Sequence, residues 1–291
     1  MKLPIYLVLR GGLGNQLFMF ASAYSKAKIT NRKLQLVTSW YSEQNWHGTP
    51  EVNQRFFELN SFPKIREINS NFTKLFEWAI FLLFKLSWKF GEKKLLNVCV
   101  NTDNSLKPLN SWWPLIIHGY MQDIETFELN HSEITNFFKL EQEIDEKAIT
   151  LINGLRNNTD RLLALHIRRG DNFKNNKPEY VLKSNYYERC LKIFNYQPNQ
   201  VVVFSDDIDW CKIQFEDRGF NFIDESSPAI SLIMLSKCDD FILSVSTFSW
   251  WGAWLGNTPG KKVLIPKIFE STSSWNKLAK DQWLSIDADF E

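Results

Sequence analysis

Cysteine is scarce and scattered: Cys99, Cys190, Cys211 and Cys238 form neither a CxxC pair nor a Cys/His cluster. That excludes a zinc-finger scaffold and a disulfide framework and leaves buried small hydrophobes as the expected role. Of four histidines, at 47, 118, 131 and 166, only His166 falls in a motif. No uncharged apolar run reaches ~18 residues, the usual minimum for a membrane span. The opening "MKLPIYLVLRGG" breaks off too soon to read as a secretory signal. The Asn-x-Ser/Thr triplets at Asn71, Asn130 and Asn157 are therefore expected to be accidental, in a cytoplasmic chain. Charge of one sign is missing as well, with 34 Lys and Arg against 33 Asp and Glu. A nucleic-acid partner is not expected, because that affinity rests on clustered basic charge.

Complete cofactor fingerprints are also absent. "GGLGNQ" at 11–16 resembles a dinucleotide turn, yet Leu17 stands where the third glycine belongs. No acidic residue closes the next strand, "KLQLV", and no Lys-Ser/Thr ends the turn. Nicotinamide, flavin and P-loop chemistry are disfavoured on those grounds.

What is present in excess is aromatic surface, 12 Trp and 23 Phe. Part of it lies in "FTKLFEWAIFLLFKLSWKFGEKK" at 72–94, which Lys74, Glu77, Lys85 and Lys89 interrupt. The segment reads as a helix packed on the core. A second reading lays it in a membrane interface, with the lysines among head groups, which would make the protein peripheral on the inner face of the plasma membrane.

The chain has an α/β rhythm. "PIYLVLR", the Gly-rich turn, "LFMFASAYSKAK" and "KLQLV" read as strand, turn, helix and strand. Leu17, Phe18, Phe20, Ala21 and Tyr24 make the helical face. No strand is placed in 41–110, and "PLIIHGYMQD" at 114–123 contains another buried strand. "EQEIDEKAITLINGL" reads as an amphipathic helix and "RNNTD" as a polar turn, which puts a boundary near 155/156 and gives domains 1–155 and 156–291. The second domain repeats the rhythm: strands at 161–168, 201–204, 221–223 and 240–245, with helices at about 184–195, from 207, at 228–237 and from about 248. Alternation of this kind implies a mostly parallel sheet, with ligands beyond the carboxyl ends of strands.

The polar motifs fall at those ends. His166, Arg168, Arg169 and Asp171 follow the 161–168 strand in "LALHIRRGDN". Ser205, Asp206 and Asp207 follow "VVVF", and Ser246, Thr247 and Ser249 follow "FILSV". Arginine forks and N–H groups at a helix start both suit phosphate oxygens. Read alone, Arg168 and Asp171 form an internal salt bridge, while "SDD" and "STFS" are helix caps. Their convergence favours an anion site. Two guanidiniums exceed what the one carboxylate of Asp171 can satisfy, so the remaining anion is read as part of a ligand. "DDID" at 206–209 also contains an Asp-x-Asp that would suit a divalent ion.

"GGLGNQLFMFASAYSKA", "GYMQ", "HIRRGD", "VFSDDIDWCK" and "STFSWWGAWL" occur in the order found in bacterial α-1,2-fucosyltransferases, and the resemblance spans nearly the whole chain. It implies two Rossmann-like domains facing a cleft, the GT-B type. It also implies GDP-β-L-fucose as donor and transfer, with inversion and without a metal, to the 2-hydroxyl of a galactose. The acceptor would be a glycan such as an O-antigen or other surface-polysaccharide precursor, which can be lipid-linked. By motif match Arg168 holds the β-phosphate and Arg169 assists, while His166 and Asp171 shape the loop. Ser246, Thr247, Phe248 and Ser249 line the pyrophosphate site, and Asp206 or Asp207 lies near the nucleoside. Gly14 and Asn15 belong to the first domain's turn, from which Asn15 reaches toward the phosphates or the reacting sugar. Tyr120, Gln122 and Asp123 are acceptor-side candidates. The general base stays open among Asp123, Glu125, Asp171 and His118.

Three positions depart from the family pattern: Asn172 for Tyr, Val245 for Asn, and Ser231 for an Asp. Other readings are a transferase for another nucleoside-diphosphate sugar, with a metal at Asp207 and Asp209, and a non-catalytic module whose Trp residues stack on sugars.

Overall fold

A computed structural model describes residues 3–42, 55–69, 73–89, 98–100, 115–122, 124–156, 161–174, 178–269 and 274–291. The chain divides into two compact units, Met1–Lys139 and Leu140–Glu291.

The first unit runs β1 (Ile5–Val8), α1 (Leu13–Ile29), β2 (Leu34–Val37), α2 (Pro63–Asn69), α3 (Lys74–Lys89), β3 (Val98–Val100), β4 (Leu115–His118), α4 (Ile124–Glu128) and α5 (His131–Phe137). Its strands lie in the order β2-β1-β4-β3, all pairs parallel, with Ile5 opposite Leu34 on one side and Leu115 on the other. Every residue of β1 is buried, as expected of a strand covered on both faces. Tyr6, Val8, Val37 and Ile116 pack with Ile80, Phe81 and Phe84 of α3. The three α3 residues recur at helical spacing, so they present one stripe to the sheet. The same stripe carries a buried carboxylate: Glu77 accepts from the Thr38 N–H (2.5 Å), the Thr38 hydroxyl (3.0 Å) and the Ser39 hydroxyl (3.0 Å). Glu77 thus fixes α3 to the end of β2, just before the short 3-10 turn Ser39–Ser42.

The second unit runs α6 (Gln142–Gly154), β5 (Leu163–Ile167), α7 (Gly170–Lys174), α8 (Ser184–Ile193), β6 (Val201–Ser205), α9 (Ile208–Gln214), β7 (Asn221–Ile223), α10 (Pro228–Ser236), β8 (Asp240–Ile242), α11 (Thr247–Leu255), β9 (Val263–Lys267) and β10 (Leu284–Asp287). All its strand pairs are parallel, in the order β10-β9-β8-β5-β6-β7. Counted from the first strand of the unit this is 3-2-1-4-5-6 reversed, the doubly wound order of nucleotide-binding sheets, whose switch point lies between β5 and β8. The α/β class and the pair of Rossmann-like units are as the sequence implied.

Differences from the expected elements are instructive. α6 packs against α10, so it belongs to the second unit and the division falls at 139/140 rather than 155/156. β3 lies in the 41–110 stretch where no strand was expected. β9 contains Pro266, a residue that argues against a strand, and β10 is a largely exposed edge strand without an apolar pattern; neither is visible from sequence.

The Trp residues of "SWWGAWL" are core. Trp250, Trp251 and Trp254 are all buried, and the Trp250 indole N–H donates to the Leu278 carbonyl at 2.8 Å. They are not platforms for a sugar. α10 and α11 cross so closely that a Cβ on Gly252 would lie 1.5 Å from Cδ2 of Leu235. Cys190, Cys211 and Cys238 are free and buried, and burial pushes the Cys190 thiol up to about 12 and Cys211 up to about 11. These three are the small hydrophobes expected, while Cys99 has no described side chain.

Candidate active site

In the second unit the three polar loops do converge at the carboxyl ends of β6, β5 and β8. His166, in β5, shares a 2.7 Å hydrogen bond between Nδ1 and the Ser244 hydroxyl, just beyond β8, and so bridges the switch point itself. Both are buried. Burial pushes the imidazole down to about 3; the Asp206 charge opposes that shift and the Arg168 charge adds to it. His166 is therefore neutral at any physiological pH. Its ring lies 5.6 Å from the Phe248 ring.

The two arginines meet internal anions from the β6 loop. Arg168 Nη1 is 3.1 Å from Asp206 Oδ2, and Arg169 Nη1 is 3.4 Å from Asp207 Oδ2. Asp206 does more than balance charge: its Oδ1 accepts from the backbone N–H of Arg169 (2.9 Å) and of Gly170 (3.1 Å), at the start of α7. The approach is so close that a Cβ on Gly170 would come within 2.7 Å of the Asp206 carbonyl oxygen, which is why glycine follows the arginine pair. The Arg169 guanidinium is sandwiched between Phe173 (3.9 Å) and Trp210 (4.6 Å).

Asp206 and Asp207, expected near a nucleoside, are thus placed against the arginines. Asp171, expected as the internal partner, opens α7, and its side chain is not among those described. Asp209 is exposed and lies 3.9 Å from Lys212, apart from the Asp207–Arg169 pair. No group of three His, Cys, Asp or Glu suited to a metal occurs among the described residues.

Ser246 caps α11, its hydroxyl accepting from the Phe248 N–H at 3.3 Å. Ser249 is buried and donates to the Ser246 carbonyl at 3.1 Å. Thr247 and Phe248 are half-buried at the head of this helix, beside His166.

The first unit has its own constellation at the carboxyl ends of the neighbouring strands β1 and β4. Gly11 has a φ of +76°, a conformation that glycine adopts without strain. A Cβ there would lie 3.0 Å from the Tyr120 hydroxyl and 3.2 Å from Asn15 Nδ2, so two sequence-named residues sit together on this turn. The Arg10 guanidinium stacks 4.5 Å above the Tyr120 ring, and the Tyr41 hydroxyl donates to the Gly11 carbonyl at 3.1 Å. Gln16 is fully buried, and both ends of its amide are used. Nε2 donates to the carbonyls of Gly11 (2.9 Å) and Phe56 (2.8 Å), and Oε1 accepts from the N–H of Glu58 (3.0 Å) and Leu59 (3.2 Å). Gly14 is buried in the first turn of α1.

Gln122 closes a turn by donating its N–H to the Tyr120 carbonyl, and Asp123 lies outside the described residues. Of the other base candidates, Glu125 is exposed in α4, while His118 is buried against Phe84, ring centres 4.7 Å apart. Sequence reading passed over Arg10, Gln16, Tyr41, Ser244, Phe173 and Trp210. Only Arg10 carried a signal, as a cation between a buried strand and a glycine pair.

Comparison with known proteins adds the family. The O-antigen biosynthesis glycosyltransferase WbnK of Escherichia coli is 31% identical over 97% of this chain and 100% of its own length. An alpha-1,2-colitosyltransferase of Escherichia coli is 28% identical over 96% of this chain and 97% of its own. Among solved structures, the fucosyltransferase NodZ from Bradyrhizobium aligns over 86% of this chain and 92% of its own, with 17% identity and a TM-score of 0.46. The model of glycosyl transferase family 11 matches residues 96–287, a span that holds every one of the second unit's polar loops. This chain belongs to glycosyl transferase family 11.

Proposed function

We propose that this glycosyltransferase moves L-fucose from GDP-β-L-fucose, with inversion, to the 2-hydroxyl of a galactose in a surface-polysaccharide precursor. The observation that carries the reading is the arginine-bearing loop at the β5/β8 switch point, set beside the N-terminus of α11. Breaking the bond between C1 of the sugar and the phosphate oxygen builds negative charge on the departing diphosphate. Arg168 supplies a guanidinium to that charge, and α11, which starts at Thr247, turns the positive end of its helix toward it. Arg169, gripped by Phe173, Trp210 and Asp207, holds the loop from behind. The acceptor oxygen forms its bond to C1 as the phosphate leaves, and its proton passes to a base. Arg168, backed by Arg169, takes the place that a metal has in other transferases, so activity is expected to survive EDTA.

Asn15 and Tyr120, together on the first unit's turn, serve the acceptor or the reacting sugar in this reading, with the two units facing a cleft in the GT-B manner. Support for an O-antigen type of acceptor comes from the name of the relative WbnK, which this chain matches end to end. A lipid-linked precursor and a cytoplasmic place on the inner face of the plasma membrane go with that acceptor. A second reading, transfer of colitose, is favoured by the likeness to the colitosyltransferase.

The test is mass-spectrometric detection of transfer to Gal-β-1,3- and Gal-β-1,4-terminated acceptors, with GDP-fucose and GDP-colitose offered in parallel. A product with a new deoxyhexose on the galactose supports fucosyl transfer. Transfer from GDP-colitose alone establishes the second reading, and GDP-independent glycan binding without product removes both.

A further inference from the structure

α3 is apolar almost all the way round: from Leu75 to Leu86 only Glu77 and Lys85 are charged. Such a helix belongs in a core or at a lipid boundary, yet only one of its faces is covered. Ile80, Phe81 and Phe84 face the sheet and are buried, and Glu77 is turned inward onto Thr38 and Ser39. The opposite face is made of Leu75, Ala79, Leu82 and Leu86 at i, i+4, i+7 and i+11, flanked by Phe76 and Leu83. All six are exposed, Leu75 at 85% and Leu86 at 52%. The described charged side chains of α3 beside this face are cations. Lys74 is exposed, and Lys85 is half-buried with its ammonium 5.5 Å from the Phe81 ring.

We infer that the outward face of α3 docks this enzyme on an anionic lipid surface. Leucine and phenylalanine side chains would enter the boundary between head groups and acyl chains, and Lys74 and Lys85 would lie among the head groups. The charge pattern selects this occupant over a second copy of the chain. Two such faces pressed together would oppose lysine to lysine, and the acid described on the helix, Glu77, is already committed inward. No described helix is long and apolar enough to cross a membrane, so the contact lies in the interface plane. The inference deepens the membrane-surface part of the reading above and is independent of the donor and acceptor named there.

The experiment is flotation of the full chain with vesicles of phosphatidylcholine, with and without phosphatidylglycerol. Wild type is expected to float with the anionic vesicles and to be released by salt. The double variant Leu82→Ser/Leu86→Ser should bind at least about tenfold more weakly, since two exposed apolar anchors are lost. Lys74→Gln and Lys85→Gln should each weaken binding about fivefold. GDP titration and circular dichroism of every variant should match wild type, because none of these positions belongs to the polar loops. Wild type that stays with the pellet, or a serine variant that floats as well as wild type, overturns the inference. So does a concentration-dependent dimer in light scattering that the serine variant breaks while vesicles bind neither protein. A chain that floats but transfers no sugar retains this inference and removes the fucosyl reading; the converse result separates them the other way.

Discussion

At the switch point of the second unit, charged groups hold one another in place. Arg168 meets Asp206, Arg169 meets Asp207, and a neutral His166 leans on Ser244. At the carboxyl end of β1 in the first unit the turn is held by backbone and amide. Gly11 takes the left-handed conformation, Gln16 joins four backbone groups, and Tyr41 reaches the Gly11 carbonyl. The first arrangement stores positive charge whose counterions lie close by, ready for an anion of higher charge. The second stores shape, with Arg10, Asn15 and Tyr120 presented on a rigid bend. A transfer reaction has need of both kinds, one for the charge that grows on the leaving group and one for the pose of the neutral partner.

The comparison can be broken most severely at Arg168. Arg168→Ala is expected to lower turnover by ~10²–10³ while circular dichroism is unchanged, since a charge donor to the leaving group is lost and little packing goes with it. Near-normal turnover would show that the charged loop is not where the leaving group lies. In the first unit the corresponding blow is structural. Gln16→Ala strands two carbonyls and two N–H groups, and urea unfolding should report a loss of about 2–4 kcal/mol. A loss near zero would mean that water replaces the amide at no cost.

Two glycines sharpen the contrast further. Gly170→Ala drives a methyl group into the Asp206 backbone and should cost about 1–3 kcal/mol, with a drop in turnover as Arg168 is displaced. Gly12→Ala meets only the end of Arg55, at 3.5 Å, and should change stability by less than about 1 kcal/mol. Equal effects in a thermal melt would contradict the difference between the two loops. A further contrast is one of pH. His166 binds its proton far less readily in the folded chain, near 3, than unfolded, near 6.5, so the unfolded state takes up more protons between those values. Stability is full above about 6.5 and falls as pH drops toward 3, by at most about 1.4 kcal/mol per unit from this group. Urea midpoints of wild type and His166→Asn, measured from neutral to mildly acidic pH, should converge as acid is added.

The second unit was the more legible in sequence because its strands are short, aliphatic and followed at once by polar loops. β5, β6 and β8 announce themselves, and with them the places of His166, Arg168, Asp206 and Thr247. What sequence could not give was pairing. Asp206, 38 residues away, pairs with Arg168 because β5 and β6 are neighbours in the sheet, a contact that no local spacing announces. β10 went unread because an exposed edge strand has no apolar period to detect. In the first unit Gln16 looked like part of a nucleotide turn, and only the fold shows its amide spent on residues 56–59. A sugar-stacking role, one reading of so many tryptophans, is not open to the three in α11, which are buried.

Asp206 grips the arginine loop twice, once by its backbone and once by the head of Arg168. The loop and its guanidinium therefore behave as one lever on a single pivot: what moves the peptide also swings the charge. Asp206→Asn would leave an oxygen for the two N–H groups and take away the counterion, uncoupling where the arginine stands from how strongly it is held. Such a chain would show how much of the proposed grip on a departing diphosphate is set by position and how much by the ease with which Arg168 changes partners.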